Sequence, residues 1–439
     1  MSDYMYLLES HLNADQNRVV AEVNAAATGA SVNVFLSGGA LRDMLGGHPI
    51  RDLDFTLETN PAKVVKTILS RLPGSVLFEE DNRRYIELSF PGGVTAQIAM
   101  AREERYAKPG GKPHVTPATV YEDLKRRDFT VNAMALSLNR GSRGLLIDPT
   151  NGQADLLNRQ IRSAYSNALY DDPSRLLRLV RLRHRLGFTV EERTARQFEN
   201  ALSENLQRLI PSSKLLEELR QLGDESAPSE VLEELKSNGL LALFMKPAVA
   251  AKLNFAGLGK LEKLKRSVPH GTGGWSDGWR SFLHVLTEKL SPRERNDLFS
   301  SLSMPREDAD RLRKLESHAA KLETELRSPA LRKPSHVFNL LNAAASDEIL
   351  LILYESQQRI VQDRIRNYLE KYLPMSQEIT DEEIGVLPGT PKYQKVREEV
   401  VTRRLDARPK KPDTAAELPD NGARNGYGPP IATRGRAAR

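Results

Sequence analysis

The sequence predicts an α+β protein in which a small mixed sheet with helices forms the first third and helices alone form the rest. Segments that are continuously apolar or alternate with period two, as strands do, are concentrated before residue 150. After Asp172, apolar residues recur three and four apart, which is typical of amphipathic helices. The length of 439 residues allows about two to four domains, each with its own core.

In the first third, strand and helix patterns alternate along the chain. Strands are expected at 32–36, 52–57, 84–90 and 94–100. Helices are expected at 15–27, 40–45 and 61–71. The first strand ends at Ser37-Gly38-Gly39, and the turn Pro91-Gly92-Gly93 joins the last two strands. These elements predict one α/β unit with a small sheet.

The remaining two thirds carry helical patterns. Helices are expected at 175–186, 209–222, 229–238, 292–302, 306–327 and 336–372. The glycine-rich stretch 267–278 predicts a loop. Residues 406–439 are rich in proline, glycine, alanine and arginine, which predicts a disordered basic tail.

Composition narrows the class of protein. The absence of cysteine excludes disulfides and thiolate metal sites, and it fits a reducing cytoplasm. There is no run of about 18 apolar residues and no secretory pattern in residues 1–12, so neither a membrane span nor secretion is expected. The formal net charge of +6 suits a polyanionic partner.

Asp52 and Asp54 are the first candidate site. Residues two apart on a strand point to the same face, about 6–7 Å apart at the backbone, so the two carboxylates would lie side by side. Mg²⁺ takes oxygen ligands and keeps waters that substrate phosphates can replace. Two such ions can activate an attacking hydroxyl and stabilise a leaving pyrophosphate. The spacing therefore predicts Asp52 and Asp54 as Mg²⁺ ligands and catalytic residues.

A glycine turn precedes this pair. In Gly38-Gly39-Ala40-Leu41-Arg42-Asp43, the two glycines allow backbone N–H groups to approach a triphosphate where a helix begins. Arg42 can add a charge-assisted contact to the same phosphates. Gly38, Gly39 and Arg42 are therefore predicted to bind nucleotide.

The pattern Gly38-Gly39-x-x-Arg42-Asp43 followed by Asp52-x-Asp54 resembles the first motif of the class II tRNA nucleotidyltransferases and bacterial poly(A) polymerases. The resemblance implies a polymerase-β-like nucleotidyltransferase head with a small mixed sheet, followed by all-helical neck, body and tail domains. It also implies that the two strand aspartates bind the catalytic metals.

Two further segments match this family in order. The ten-residue run from Arg126 to Ala135 resembles the second motif, which implies that Arg127, Asp128 and Asn132 contact the ribose and phosphates of the nucleotide. Asp148-Pro149-x-x-Gly152-x-x-Asp155 resembles the third motif, which implies a connection that lets the domains move and carries no chemistry.

The segment from Asp171 to Arg181 resembles the fourth motif. Its Asp-Asp-Pro start is typical of a capped helix, and Arg175, Arg178 and Arg181 recur every three residues. The resemblance implies that Asp172 and Arg175 recognise the Watson–Crick edge of the incoming base, and that Arg178 and Arg181 lie nearer the phosphates. Cytosine and adenine carry an exocyclic amine that a carboxylate can accept from, whereas uracil does not.

The sequence departs from the family in two places. Ser213-Lys214 stands where the family's fifth motif has Glu-Arg, so this stretch predicts a supporting helix start without a site. Gln97 stands where the family has an acidic residue. Either Glu87 on the neighbouring strand substitutes, or two aspartates suffice, or activity is reduced. We favour retained activity, because the metal-binding and base-selecting residues are both present.

The resemblance implies an enzyme that adds CCA to the 3′ end of tRNA from CTP and ATP with Mg²⁺, clamping the acceptor arm with basic clusters at 260–266 and 311–314. A CC-adding or A-adding enzyme and a poly(A) polymerase are alternatives, and a non-catalytic RNA-binding paralogue is another. The predicted domains are a catalytic head at 1–150, a base-selecting neck at 151–240, an RNA-binding body and tail at 241–405, and the basic tail at 406–439. Residues 384–389 resemble a short segment of the family's tail domain.

Overall fold

The fold described here is that of a computed structural model, which describes residues 4–267, 278–387, 390 and 392–407. Nearly all of the predicted loop at 267–278 lies outside the described residues. The disordered tail predicted at 406–439 also lies outside the described residues, apart from its first two residues. The same is true of the last two residues of the segment 384–389.

A seven-stranded mixed sheet forms the centre of the first 150 residues. Four of its strands and their connecting turn follow the sequence prediction closely, because each alternates or is continuously apolar. The strands of this domain, in chain order, are β1 Val34–Ser37, β2 Leu53–Leu57, β3 Ser75–Glu80, β4 Tyr85–Phe90, β5 Val94–Met100, β6 Arg102–Arg105, β7 His114–Pro117, β8 Ala135–Ser137 and β9 Leu146–Ile147. The spatial order of the sheet is β3-β4-β5-β2-β1-β8-β9, and β6 pairs with β7 separately.

Helices cover one face of this sheet. Leu53, Phe55 and Leu57 of β2 are buried there. They join a core with apolar residues of the helices that the sequence predicts at 15–27, 40–45 and 61–71. The helices of the domain are α1 Tyr4–His11, α2 Ala14–Gly29, α3 Gly39–Leu45, α4 Ala62–Arg71 and α5 Val120–Lys125. On the opposite face α5 packs against Phe35 and Ala135, whereas polar residues of β2, β5 and β4 occupy the part nearer β3.

The strand register places four residues in one line across that polar face. Asp54 of β2 pairs with Gln97 of β5, Gln97 pairs with Glu87 of β4, and Glu87 pairs with Phe78 of β3. Since cross-strand partners point to the same side of a sheet, these side chains share a face. We call Asp54, Gln97, Glu87 and Phe78 the cross-sheet row.

The sequence does not predict strands β3, β6, β7 and β9. The hairpin of β6 and β7 is polar and lacks an apolar period, and it is held by charge instead. Glu104 accepts from Arg102 at 2.8 Å and pairs with Arg126 at 3.2 Å, while the Arg102 N–H donates to Asp123 at 3.1 Å. These partners come from different elements, so a local pattern cannot reveal them.

After residue 150 the chain is almost entirely helical. Two short parallel strands, β10 Gln160–Ile161 and β11 Thr189–Val190, are the exception among the described residues. The helices are α6 Gly152–Leu157, α7 Ala168–Asp171, α8 Arg175–Leu186, α9 Glu192–Ser203, α10 Ser212–Gly223, α11 Pro228–Ser237, α12 Pro247–Ala250, α13 Phe255–Ser267, α14 Trp279–Thr287, α15 Pro292–Ser301 and α16 Arg306–Arg327.

The prediction of a single helix at 336–372 is wrong. The chain instead forms α17 Pro334–Asn342, α18 Ser346–Glu355, α19 Arg359–Asn367, a π-helical turn Tyr368–Tyr372 and α20 Leu373–Gln377, before α21 Asp381–Ile384 and α22 Tyr393–Asp406. Ala345 and Ser356 are extended, with ψ of 142° and 131°, and interrupt the helix. The breaks let these helices turn their apolar sides into one core.

Three large apolar clusters hold the molecule together. They span Leu8 to Leu138, Phe129 to Leu206, and Leu177 to Leu405. Apolar packing is continuous across the boundaries expected at 150 and 240, which remain predictions. Among the described residues no single helix is long and apolar enough to cross a membrane. Helices α17 and α18 reach the required length and apolarity only together, and they are bent by 112° relative to each other.

The connection between the sheet domain and the helical region is closely packed. Asp148 accepts from the backbone N–H groups of Gly152 at 2.7 Å and Gln153 at 2.9 Å. A Cβ at Gly152 would lie 2.1 Å from the Thr130 carbonyl oxygen, so only glycine fits. Asp155 accepts from the Thr130 hydroxyl at 2.7 Å. These contacts hold the connection against Thr130, and its freedom from chemistry stays a prediction.

Candidate active site

The two aspartates of the first motif lie at the start of β2. Asp54 is the second residue of the strand and partly buried, while Asp52 is exposed and immediately precedes it. The Thr95 hydroxyl donates to Asp52 at 2.5 Å, and Thr95 lies two residues before Gln97, the strand partner of Asp54. The two carboxylates therefore lie on the same face of the sheet.

The charge of Asp52 influences the protonation of Asp54. Burial and the charge of Asp52 raise the pKa of Asp54 to about 7, although Arg127, the Gly39 N–H and Arg42 oppose the shift. A carboxyl with such a pKa lacks full compensation for its charge. No group of three or more His, Cys, Asp or Glu side chains is arranged to hold a metal in the described ranges. A pair of carboxylates still fits Mg²⁺, which is commonly bound by one or two carboxylates plus substrate phosphates.

The glycine turn lies directly beside Asp54. The Gly39 N–H donates to Asp54 Oδ2 at 3.1 Å, so in this arrangement the turn orients the carboxylate. Gly38 has φ +68°, and a Cβ there would lie 2.9 Å from Asp54 Oδ2 and 3.2 Å from Arg127 Nη1. Both the backbone conformation and the space require glycine at position 38.

Arg42 and Arg127 extend the site away from the aspartates. Arg42 is buried, and its Nη1 donates to Asn132 Oδ1 at 2.6 Å. Arg127 Nη2 donates to the Ser37 and Thr56 hydroxyls and to Asp123 at 3.0–3.1 Å. Both arginines are therefore held in fixed positions beside the glycine turn.

Asp128 joins this part of the site to α8. It accepts from Asn132 Nδ2 at 3.1 Å and from Arg178 Nη1 at 3.1 Å. Burial alone would raise the pKa of Asp128, but Arg178, Arg175 and the hydrogen bonds lower it to about 2. Asp128 therefore stays ionised and anchors both Asn132 and Arg178.

The predicted base-selecting pair lies at the start of α8. Asp172 Oδ1 accepts from the Ser174 N–H at 3.1 Å and the Ser174 hydroxyl at 2.5 Å. Arg175 donates to the Tyr165 hydroxyl at 3.1 Å and to the Arg126 carbonyl at 3.0 Å. Although burial opposes it, the charge of Arg175 helps keep the pKa of Asp172 low. The fourth motif is thus attached directly to the second.

Arg181 is placed differently from what the resemblance implies. It is buried, with Nε donating to Glu218 at 3.0 Å and Nη1 to Glu225 at 3.0 Å, and Nη2 donates to Gln221. All three nitrogens therefore bind side chains of α10 or of Glu225, which follows that helix. This geometry favours a structural role in which Arg181 holds α8 against α10.

Sequence reasoning missed the contribution of α10. The charge of Lys214 helps lower the pKa of Asp172, and the charge of Glu217 helps raise the pKa of Tyr85 and Glu87 on the sheet. The charges of this helix therefore act on both Asp172 and the Glu87 member of the cross-sheet row. The sequence signal for this role is the spacing of Lys214 and Glu217, which are three residues apart and therefore lie on one side of the helix. Their side chains pair at 2.6 Å.

Asp123 was also missed. It is fully buried, and it accepts from Arg126 at 2.5 Å as well as from Arg127. The only sequence signal is its spacing of three and four residues from these arginines on and after a short helix. Asp123 positions the second motif.

The site thus combines two carboxylates beside a glycine turn, on a mixed sheet, with an aspartate and an arginine at the start of α8. Residues 34–162 match the poly A polymerase head domain family. The match covers the sheet domain and the start of the helical region, and along the rest of the chain the similarity is to proteins named tRNA nucleotidyltransferases.

Several relatives define this similarity further. An A-adding tRNA nucleotidyltransferase of Aquifex aeolicus is 29% identical over 346 residues, covering 77% of this chain and 40% of the relative. A second A-adding tRNA nucleotidyltransferase, from Halalkalibacterium halodurans, is 34% identical over 241 residues. That match covers 54% of this chain and 56% of the relative. Other relatives carry the names CC-adding tRNA nucleotidyltransferase and Multifunctional CCA protein. The chain spans 40–56% of the first three relatives' own length.

A solved structure has the same fold along most of the chain. The apo form II of a CCA-adding enzyme is 25% identical, with a TM-score of 0.52, and the match covers 93% of this chain and 96% of that one. This confirms the predicted α+β head followed by helical domains.

Proposed function

We propose that this protein is a template-independent tRNA nucleotidyltransferase that adds CCA to the tRNA 3′ end, transferring C and A from CTP and ATP and releasing pyrophosphate. One observation supports this above the others. Hydrogen bonds join Asp54 to Gly39 at the start of α3, and Arg42 of the same helix through Asn132 and Asp128 to Arg178 of α8, the helix that begins at Arg175 just after Asp172. Metal-binding and base-selecting groups are thereby held in one unit.

Asp52 and Asp54 are the residues that would hold Mg²⁺. The bound ion supplies charge neutralisation at the phosphates and at the attacking hydroxyl. Gly38 and Gly39 keep Asp54 oriented, while Arg42 and Arg127 present positive charge beside the same turn. Asn132, Asp128 and Arg178 complete the ribose and phosphate side of the site. The carboxylates are poised for a cation because the charge of Asp54 is incompletely compensated.

Base choice is proposed to lie with Asp172 and Arg175. An ionised Asp172 accepts from the exocyclic amine of cytosine or adenine, and Arg175 donates to a ring nitrogen or carbonyl. Arg175 is held by the Arg126 carbonyl and the Tyr165 hydroxyl, which reduces its freedom to adapt to other bases. Uracil lacks the amine that Asp172 requires.

The helical region at 241–405 is proposed to bind the tRNA acceptor arm. Several of the lysines and arginines expected to contact RNA phosphates already have partners within the protein. Lys260 and Lys265 donate to the carbonyls of Tyr354 and Gly223 at 2.5 Å, and Arg313 pairs with Asp310 at 2.7 Å. RNA binding by this region predicts a strong dependence on salt concentration, because phosphate contacts release counterions. The lack of cysteine fits a site of action in a reducing cytoplasm.

An A-adding enzyme is the second candidate, because the first relatives found carry that name. The experiment that separates the activities uses three tRNA acceptors, ending before CCA, after C and after CC. Each is incubated with labelled CTP or ATP and Mg²⁺. Full CCA addition extends all three, whereas an A-adding enzyme extends only the acceptor ending in CC. A CC-adding enzyme stops before the adenosine, and a poly(A) polymerase adds many adenosines and extends RNA that is not tRNA.

The same assay tests whether the protein is an enzyme. No incorporation into any acceptor, with tRNA binding intact, would select the non-catalytic RNA-binding alternative that Gln97 favours. Gln97 lies between Asp54 and Glu87 in the cross-sheet row, so Glu87 is one strand further from the aspartates than the usual acidic position. Substitution by Glu87, sufficiency of two aspartates and reduced activity all remain open, and we propose retained activity.

A further inference from the structure

The cross-sheet row ends in an exposed aromatic ring. Phe78 lies on the same face as Asp54, three strands away, and its exposed fraction is 52%. Adjacent strands are about 4.8 Å apart, so the backbone positions of Asp54 and Phe78 are separated by roughly 14 Å. A large apolar side chain is thus held at the outer edge of the candidate active-site face.

A second ring holds Phe78 in place. Tyr85 lies on the same face of the adjacent strand β4, and the two ring centroids are 6.1 Å apart at an interplanar angle of 55°. The Tyr85 hydroxyl donates to Glu87 at 3.4 Å, which ties its ring to the row. Because neighbouring side chains fix both rings, the exposed face of Phe78 is pre-organised rather than free to collapse onto the surface.

Strand β3 is at the edge of the sheet, so pairing with a second copy is the first competing explanation for its exposed residues. Two features oppose it. The β3–β4 register shifts between Val76 and Phe78, which is a bulge, and Glu79 and Glu80 place charges on the strand. Bulges and charges are the devices by which proteins prevent edge strands from pairing with other chains.

The charges around Phe78 also narrow the chemistry of its partner. Glu87 and Glu80 lie on the same face as Phe78, although Glu80 pairs with Arg83 at 3.7 Å, whereas Glu79 pairs with Ile86 and lies on the opposite face. Carboxylates repel phosphates, so neither a phosphate backbone nor an anionic lipid surface fits closely here. The neutral face of a nucleobase does fit, because stacking on an aromatic ring requires no opposite charge.

We infer that Phe78, supported by Tyr85, stacks an unpaired base of the RNA acceptor a few nucleotides before its 3′ end. This inference rests on the proposed function, which brings an RNA 3′-hydroxyl to Asp52 and Asp54. The separation of roughly 14 Å along the row corresponds to about two to four nucleotides of single-stranded RNA, given a stacked spacing of about 3.4 Å and a longer extended one. Stacking tolerates any base, which suits an acceptor whose last nucleotides change as it is extended.

The test is Phe78→Ala, measured by steady-state kinetics with tRNA acceptors and by anisotropy of labelled tRNA without nucleotide. We expect the KM and Kd for RNA to rise at least about fivefold, the lower end of what an aromatic–base stack contributes. The KM for nucleoside triphosphate and kcat at saturating RNA stay within about twofold, because Phe78 does not reach the aspartates. Phe78→Trp restores the affinity, and RNA quenches the fluorescence of its indole.

Val76 supplies a matched control. It is on the same strand with an exposed fraction of 47%, but it pairs with Leu88 and therefore points to the opposite face. Val76→Ala leaves RNA affinity unchanged, and the indole of Val76→Trp is not quenched by RNA. Binding of a blunt RNA duplex, which has no unpaired base, is the same for Phe78→Ala and the unsubstituted protein.

Three outcomes would overturn the inference. They are unchanged RNA affinity in Phe78→Ala, an equal loss for blunt duplex, and a change of oligomeric state in sedimentation without a change in RNA binding. The last would assign the ring to a second copy of the chain. If the unsubstituted protein transfers no nucleotide, the proposed function fails, yet the anisotropy comparison still decides whether Phe78 contacts unpaired RNA. Thermal unfolding within about 2 °C of the unsubstituted protein shows that the variant is folded.

Discussion

Replacing Asp54 by asparagine is expected to stabilise the metal-free protein at alkaline pH while abolishing nucleotidyl transfer. Burial and the neighbouring charge of Asp52 raise the pKa of Asp54 from 3.8 to about 7. An unfolded chain ionises this carboxyl near its ordinary pKa, so the folded state loses stability as pH rises from about 4 to about 7. Asparagine carries no charge and can still accept the Gly39 N–H, so it avoids this loss.

The magnitude follows from the size of the shift. Each pKa unit corresponds to about 1.36 kcal/mol, so a shift of about three units gives an upper limit of about 4 kcal/mol. Asp54 is partly exposed, and solvent screening reduces the gain to about 1–3 kcal/mol. For a domain of this size, 1 kcal/mol changes the melting temperature by about 2–4 °C, so an increase of several degrees is expected.

The assay is thermal unfolding in the presence of a chelator at about pH 8.5 and at about pH 5, where most of the penalty is absent. The increase in melting temperature caused by Asp54→Asn should be large at about pH 8.5 and small at about pH 5. Asp52→Asn is the control, and its gain should be smaller because Asp52 is exposed. Added Mg²⁺ should stabilise the unsubstituted protein but not Asp54→Asn. A variant that is less stable at pH 8.5, or equally stabilised at both pH values, would refute the reasoning.

Asp172→Ala should relax the preference for CTP and ATP over UTP more than it weakens RNA binding, because it removes the acceptor for the exocyclic amine; an unchanged preference in single-nucleotide incorporation would contradict this. Gln97→Glu should raise kcat, since a third carboxylate helps orient the attacking hydroxyl, and an unaltered kcat would mean that two aspartates suffice. Arg181→Ala should lower the free energy of unfolding by about 3 kcal/mol, the lower end for a broken buried pair, because Glu218 keeps only Arg178 and Glu225 keeps only Arg51 at 3.9 Å. Denaturant unfolding measures that loss, and a pure increase in nucleotide KM without a stability change would instead support a phosphate contact.

Several elements were predictable from the sequence because their signals are local. Strands β1, β2, β4 and β5 and helices α2 to α4 lie within about two residues of their predicted bounds, since apolar alternation and helical spacing depend only on neighbours along the chain. The spacing of the glycine turn and of Asp52-x-Asp54 also sufficed to place both carboxylates on one face. The third strand and the polar β6–β7 hairpin could not be found this way, because partners distant in sequence stabilise them.

The sequence by itself determined which residues are candidates for the chemistry, because motif spacing encodes the order of carboxylates, glycines and arginines. Only the tertiary structure decided how these residues are shared between catalysis and support. It ties Arg181 to Glu218 and Glu225, sets Asp123 beneath the second motif, and brings Phe78 into line with Asp54 across four strands. Strand order and helix contacts join residues far apart in the chain, and no local pattern specifies which distant carboxylate neutralises which arginine.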